Sequence, residues 1–323
     1  MRILLILVVI VAACYASFSF SVHHHDESPF KTLYMHLIPA PLVVDNHAPH
    51  DELEPLLAVP LPAALSFFDW RAPALHVDEL GHESLATAHG PELAFFNLQL
   101  FQLAAVLITL IAFAGVPNYL KRGTGDRISR LGAGFVMWIR EEMVVSVMGR
   151  KLGDRYLPYF LSIFFFIFFM NLLGLVPGAA TATASIYVTA ALALTTLLAM
   201  IGCGMYAQGP VAFWKNLVPH VPAPLWPLMF IVEVVGLIVK PFALMIRLFA
   251  NLSGGHMVVL SFMGLMFFFA QRYGAAGGWG TSPLSVGFAV FIMIIEGFVA
   301  MLQAYIFTQL SILFVHTAVH PEH

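Results

Sequence analysis

The chain has 323 residues, of which 60% are hydrophobic and 10% charged, with 29 phenylalanines; this balance excludes a water-soluble globule and marks an integral membrane protein. The formal net charge of −3 says little about partners, because the charges are segregated along the chain, and no nucleic-acid partner is expected. The two cysteines, Cys14 near the start and Cys203 in an apolar block, lie too far apart in environment for a disulfide to be expected in the mature chain.

Taken in chain order, residues 1–21 open with Arg2 and an apolar run over 3–13. That run is shorter than the ~20 residues a bilayer crossing needs. It predicts a secretory signal peptide ending near Ala16 or Ser21, with an uncleaved anchor or a lipidated Cys14 as the alternatives. Residues 22–91 are polar and rich in Pro, His and acid. Over 22–92 there are eleven Asp or Glu against Lys31 and Arg71, and nine of the fourteen histidines, including His23, His24 and His25. His82-Glu83 lacks the second His of a zinc motif, so no metal and no cofactor is expected, and the segment reads as solvated and extracytoplasmic. Short helical stretches are expected near 53–65 and 66–75.

From residue 92 to 318 the chain reads as one membrane domain, followed by a short cytoplasmic tail, 319–323. Its apolar blocks lie at about 93–116, 157–177, 183–205, 225–272 and 284–316. The fold class is therefore an all-α integral membrane protein with five membrane helical segments. Residues 128–150, ISRLGAGFVMWIREEMVVSVMGR, alternate apolar and charged positions at helical spacing and predict an interfacial amphipathic helix. Eight of the fifteen Lys and Arg residues fall between 121 and 155, so that stretch is expected in the cytoplasm, with the N-terminus of the mature chain outside and the C-terminus inside. The fourth block is too long for a simple crossing: about 48 residues at 1.5 Å each measure roughly 70 Å against a ~30 Å hydrocarbon core. It either breaks near Pro241 or lies strongly tilted, and with the fifth block it forms a long hairpin about residue 278.

The polar residues inside these blocks carry the chemistry. Arg247 is charged at any cellular pH, and a charge at bilayer depth costs roughly 2.5–3.5 kcal/mol on insertion scales. Glu233, Lys240, Arg247 and Gly254 recur every seven residues and share a helix face. Asn251 follows Arg247 by one turn, while His256, nine residues on, faces the other way. Glu296 and Gln303, seven apart, share a face of the last block. A hairpin turn near 278 brings His256 and Glu296 to one depth, and Gln303 within about two turns of Arg247. The blander readings are that Asn251 and Gln303 glue helices together, that Lys240 snorkels to the cytoplasmic surface, and that Asn171 caps or packs the second span.

At these positions the sequence resembles the subunit a family of F-type ATP synthases, the membrane stator of a proton motor. PYFLSIFFFIFFMNLLGLVPG, KPFALMIRLFANLSGGHMVV and IEGFVAMLQAYIFTQLSILFV carry the resemblance, which covers roughly residues 90–316. It implies that Arg247 is the essential arginine, with Asn251 and Gln303 beside it. It further implies that His256 and Glu296 form the outer proton path and that Glu233 stands on the inner side; the titratable His256 favours H⁺ over Na⁺ as the coupling ion. The implied activity is that of a subunit, without a nucleotide site, of an H⁺-transporting two-sector ATPase in the bacterial inner membrane. The implied partners are a ring of c-subunit proteolipids, the b-subunit peripheral stalk, the remaining synthase subunits and membrane lipid. The chain departs from the pattern at Gly174, where some bacterial members carry an acid. A stand-alone channel or secondary transporter is the alternative; it usually brings internal symmetry, and no repeat is evident here. An intramembrane protease is disfavoured, since no HExxH motif occurs, and no P-loop is present either.

Overall fold

In the computed structural model the described residues are 2–20, 42, 58–60, 74–77, 83–86, 92–94, 96–123, 125–176, 179, 181–218 and 221–320. The membrane-spanning part of the molecule is all-α. Helix α1, Arg2–Phe20, contains neither Gly nor Pro, so nothing interrupts it, and it is long and apolar enough to cross a membrane. The apolar run over 3–13 thus understates the segment, because Tyr15 to Phe20 extend the same helix. It packs along α2, Asn97–Phe113, burying Ala13 and Ser17. At its start Arg2 Nη1 donates to Ser129 Oγ at 2.7 Å, and Arg2 Nε lies 3.8 Å from Asp126.

Four short strands precede α2: β1, Ala58–Pro60, pairs antiparallel with β4, Glu92–Ala94, and β2, Ala74–Val77, pairs antiparallel with β3, Glu83–Ala86. The short helices expected near 53–65 and 66–75 are therefore not helical where they can be checked, at 58–60 and 74–75; the rest of both stretches lies outside the described residues. Pro60 supplies no N–H donor and suits an edge position.

After α2 come α3, Val116–Arg122, capped by Gly123 at φ 69°, and α4, Arg127–Trp138. The expected single amphipathic helix over 128–150 is instead broken up. A π-helical turn, Ile139–Val145, follows α4 directly, and α5, Ser146–Gly174, contains a sharp break at Gly149, φ 72° and ψ 166°. A positive φ of this kind is open to glycine at little cost. The break folds the chain back, so that Arg140 Nε and Nη2 reach both carboxylate oxygens of Asp154 at 2.8 and 3.0 Å. The apolar side of this segment is buried by protein: Ile139, Met143 and Val144 are fully enclosed, and Trp138 stacks on Tyr305 with ring centroids 5.9 Å apart.

Helix α6, Ile186–Gln208, follows a 3₁₀ turn, Ala182–Ala184, and leads through α7, Pro210–Asn216, to α8, Trp226–Val319. Gly274, φ 73° and ψ −173°, divides α8 into two arms, 226–273 and 275–319. The turn thus sits four residues before the expected position at 278. No break occurs at Pro241, which is buried within continuous helix. Neighbouring helices can accommodate the backbone group a proline leaves unpaired. The remaining reading stands: an unbroken arm of roughly 70 Å can lie within a ~30 Å core only if tilted. The arms pack closely beyond the turn. Phe262 and Phe288 stack at 5.1 Å, and a Cβ on Gly278 would come within 2.7 Å of the Ala270 Cβ.

The core lies between α5, α6 and the two arms. Phe160, Phe164, Ile167 and Met170 of α5 meet Leu244, Leu248 and Leu252 of the first arm and Phe307 and Ile312 of the second. Leu244, Leu248 and Leu252 recur every four residues, so they form one inward stripe. The opposite side of that arm exposes Leu228, Ile231, Val235, Ile238 and Phe242.

Candidate functional site

The first arm presents two chemically different faces. On the outward face stand Lys240, Arg247 and Asn251, all exposed, with Glu233 half-buried. Arg247 makes no hydrogen bond or ion pair with any described residue. Its neighbours on this side are apolar and exposed: Ile246 at 44% and Phe242 at 53%. Lys240 Nζ lies 6.0 Å from the ring centroid of Phe314 on the second arm. A permanent cation thus stands on a hydrocarbon surface with no described residue to balance it.

The inward face carries the second grouping. His256 turns away from Arg247, as nine residues at 100° each require. Its Nε2 lies 3.6 Å from Glu296 Oε1 on the second arm, so the hairpin does bring this pair together. Glu296 is buried at 5% exposure, and its Oε1 has no hydrogen-bond partner. The close approach depends on Gly255, where a Cβ would stand 2.7 Å from Glu296 Oε1. Thr181, in the connection between α5 and α6, brings its Oγ1 to 2.5 Å from His256 Nε2 and to 3.4 Å from the Gly174 carbonyl oxygen. Gly174 itself leaves the room Thr181 occupies: a Cβ there would be 2.7 Å from Thr181 Cγ2 and 2.8 Å from Oγ1.

Two bonds pin this connection and the second span to the hairpin. Ser253 Oγ donates to the Ala184 carbonyl at 3.1 Å, and Asn171 Nδ2 donates to the Ala300 carbonyl at 3.2 Å from a fully buried position. Asn171 is therefore packed between α5 and the second arm. Gln303 lies on the face of Glu296 and is buried at 4%, with no hydrogen bond to Arg247. Thr181 carries no signal in the sequence, because a lone threonine in a short connection belongs to no periodic pattern. The histidine cluster at His23, His24 and His25 lies outside the described residues.

Comparison with known proteins gives the family of the helical region. The family described as ATP synthase A chain matches residues 99–316. The chain is 36% identical over 288 residues to the ATP synthase subunit a of Myxococcus xanthus, covering 85% of this chain and 91% of that one. It is 38% identical over 257 residues to the ATP synthase subunit a of Chloroherpeton thalassium, covering 76% and 75%. It is 42% identical over 222 residues to that of an Anaeromyxobacter species, covering 67% and 52%. A match over most of the helical region, with relatives this similar across so much of their length, shows that the chain belongs to the ATP synthase A chain family.

Proposed function

We propose that this protein is the proton-translocating stator subunit of an F-type ATP synthase, forming two offset half-channels against a rotating ring of c-subunit proteolipids. The observation that carries this reading is Arg247, exposed and unpaired on an apolar face. A buried or lipid-facing cation needs a counter-charge. No described residue supplies one, and a ring whose carboxylates pass in turn meets that need.

In the mechanism, Arg247 holds the passing carboxylate as an anion. A proton taken up through the outer half-channel, by way of Glu296 and His256, neutralises the next carboxylate so that it can enter lipid. After nearly a full turn the proton leaves on the Glu233 side. The fixed charge of Arg247 repels protons between the two paths, so ion flow requires rotation. Asn251, one turn beyond Arg247, and Gln303, deeper in the hairpin, supply polar lining. The c ring, the b-subunit peripheral stalk and the remaining synthase subunits are the partners, in a bacterial inner membrane. Residues 121–155 face the cytoplasm, as does the C-terminus, and the 22–91 segment, with the N-terminus left if residues 1–21 are removed, faces outward. Replacing Arg247 and measuring proton-driven ATP synthesis in membranes with the complex assembled is the direct test, and normal synthesis would reject the reading.

A further inference from the structure

The geometry of His256 is set by a group outside the pair. Thr181 Oγ1 is 2.5 Å from His256 Nε2, while Glu296 Oε1 is 3.6 Å from the same nitrogen. A charge-assisted N–H···O bond closes to about 2.7–2.9 Å, so the histidine and the acid stand open and the hydroxyl has the closer claim. The Gly174 carbonyl can only accept. With the Thr181 hydroxyl hydrogen directed to that carbonyl at 3.4 Å, its lone pair faces the imidazole and Nε2 is the donor. Glu296 Oε1 is then left as it is found, buried and without a partner.

We infer that Thr181 is a positioning residue of the proton uptake path, accepting the Nε2 hydrogen of His256 and so keeping the imidazole from closing on Glu296. This rests on the proposed role of the His256–Glu296 pair. A buried, closed ion pair is held together strongly once formed, and removing one partner is costly; such a pair would retain the proton it should pass on. Held open, Glu296 takes a proton from the outer side and gives one up to the next ring carboxylate, while His256 and Thr181 each keep their own hydrogen. Among the described residues no ionisable group other than Glu296 lies within ion-pair distance of the imidazole. Helix α6 contains none that is charged, and the charged residues of α5 lie at 150–155, roughly 30 Å along that helix from Gly174. Gly174 belongs to the same device, because its missing Cβ is what admits Thr181.

The test uses the whole synthase in inverted vesicles energised by an acid–base jump, with ATP synthesis rates normalised to the complex that purifies with its proteolipid ring. Thr181→Val, which keeps the shape and removes the hydroxyl, should slow synthesis roughly three- to tenfold, the loss of one hydrogen bond to a key group. Thr181→Ser should restore the rate to within about twofold of the parent. Gly174→Ala, which keeps the Thr181 hydroxyl but displaces it, should reproduce the Val defect. In a His256→Ala background, Thr181→Val should cost nothing further. An unimpaired Thr181→Val enzyme, a Ser variant as slow as the Val variant, or additive losses with His256→Ala would each overturn the assignment of Thr181 alone. A His256→Ala enzyme with the parent rate would remove the uptake path itself, and the role of Thr181 with it.

Discussion

The outward stripe and the inward cluster of the same arm handle charge in opposite ways. Arg247 is exposed with no partner among the described residues, whereas Glu296 is buried, with His256 and Thr181 gathered about it from three separate parts of the chain. The first arrangement lacks a counter-charge among the described residues, and on the proposed function it meets one on a moving partner. The second is nearly complete and makes sense as a fixed conduit. The helix twist separates them by half a turn, so a single helix carries both and shields each from the other.

The largest expected effect breaks the outward half of this contrast. Arg247→Ala should abolish proton-driven ATP synthesis while the complex still assembles, since an exposed side chain contributes little to the packing of its own fold. Arg247→Lys should also be severely impaired, because an ammonium can lose its proton where a guanidinium cannot and lacks the planar fork. Synthesis rates and recovery of the ring with the purified complex measure both.

A smaller effect probes the inward half. His256→Glu or Glu296→His should each slow proton uptake, and the double exchange, restoring one acid and one imidazole, should recover part of the rate. The coupling in the double-mutant cycle should be well above the ~0.5 kcal/mol expected of independent sites. Strictly additive losses would mean that the two side chains do not share a path.

The contrast also extends to stability. Asn171→Ala removes a fully buried hydrogen bond between α5 and the second arm, and should destabilise the protein by about 1–3 kcal/mol in detergent unfolding. Asn251→Ala, at an exposed position, should stay within about 0.5 kcal/mol of the parent. Equal losses at the two sites would sink the distinction between an outward and an inward face.

The mildest perturbation concerns orientation. In a background with Cys14 and Cys203 replaced by serine, a cysteine placed in 22–91 should react with an impermeant thiol reagent on intact cells. One placed in 121–130 should react only in inverted vesicles. The reverse pattern would exchange the two half-channels.

Much of the candidate site is legible in the amino-acid sequence. The seven-residue recurrence of Glu233, Lys240, Arg247 and Gly254 depends only on helical twist, and a hairpin of two apolar blocks brings His256 to the depth of Glu296 whether the turn falls at 274 or 278. Thr181 is not legible there, since its place beside His256 depends on how the connection between α5 and α6 returns over the hairpin. The burial of Gln303 is equally out of reach, because it depends on how the second arm is rotated.

Sequence alone determined the membrane class, the apolar blocks beyond residue 92 and the outward and inward faces of the first arm, because hydrophobic length and helical period are local properties. Only the tertiary structure decided that the helix passes Pro241 unbroken and turns at Gly274, since neighbouring helices bear on whether a proline breaks its helix and a close-packed turn requires a glycine at positive φ. It likewise decided that the 128–150 stretch becomes a π turn and a sharp break, where the bond from Arg140 to Asp154 and the burial of Ile139, Met143 and Val144 outweigh regular helix. Those outcomes hang on contacts between residues far apart in the chain, and no local pattern encodes them.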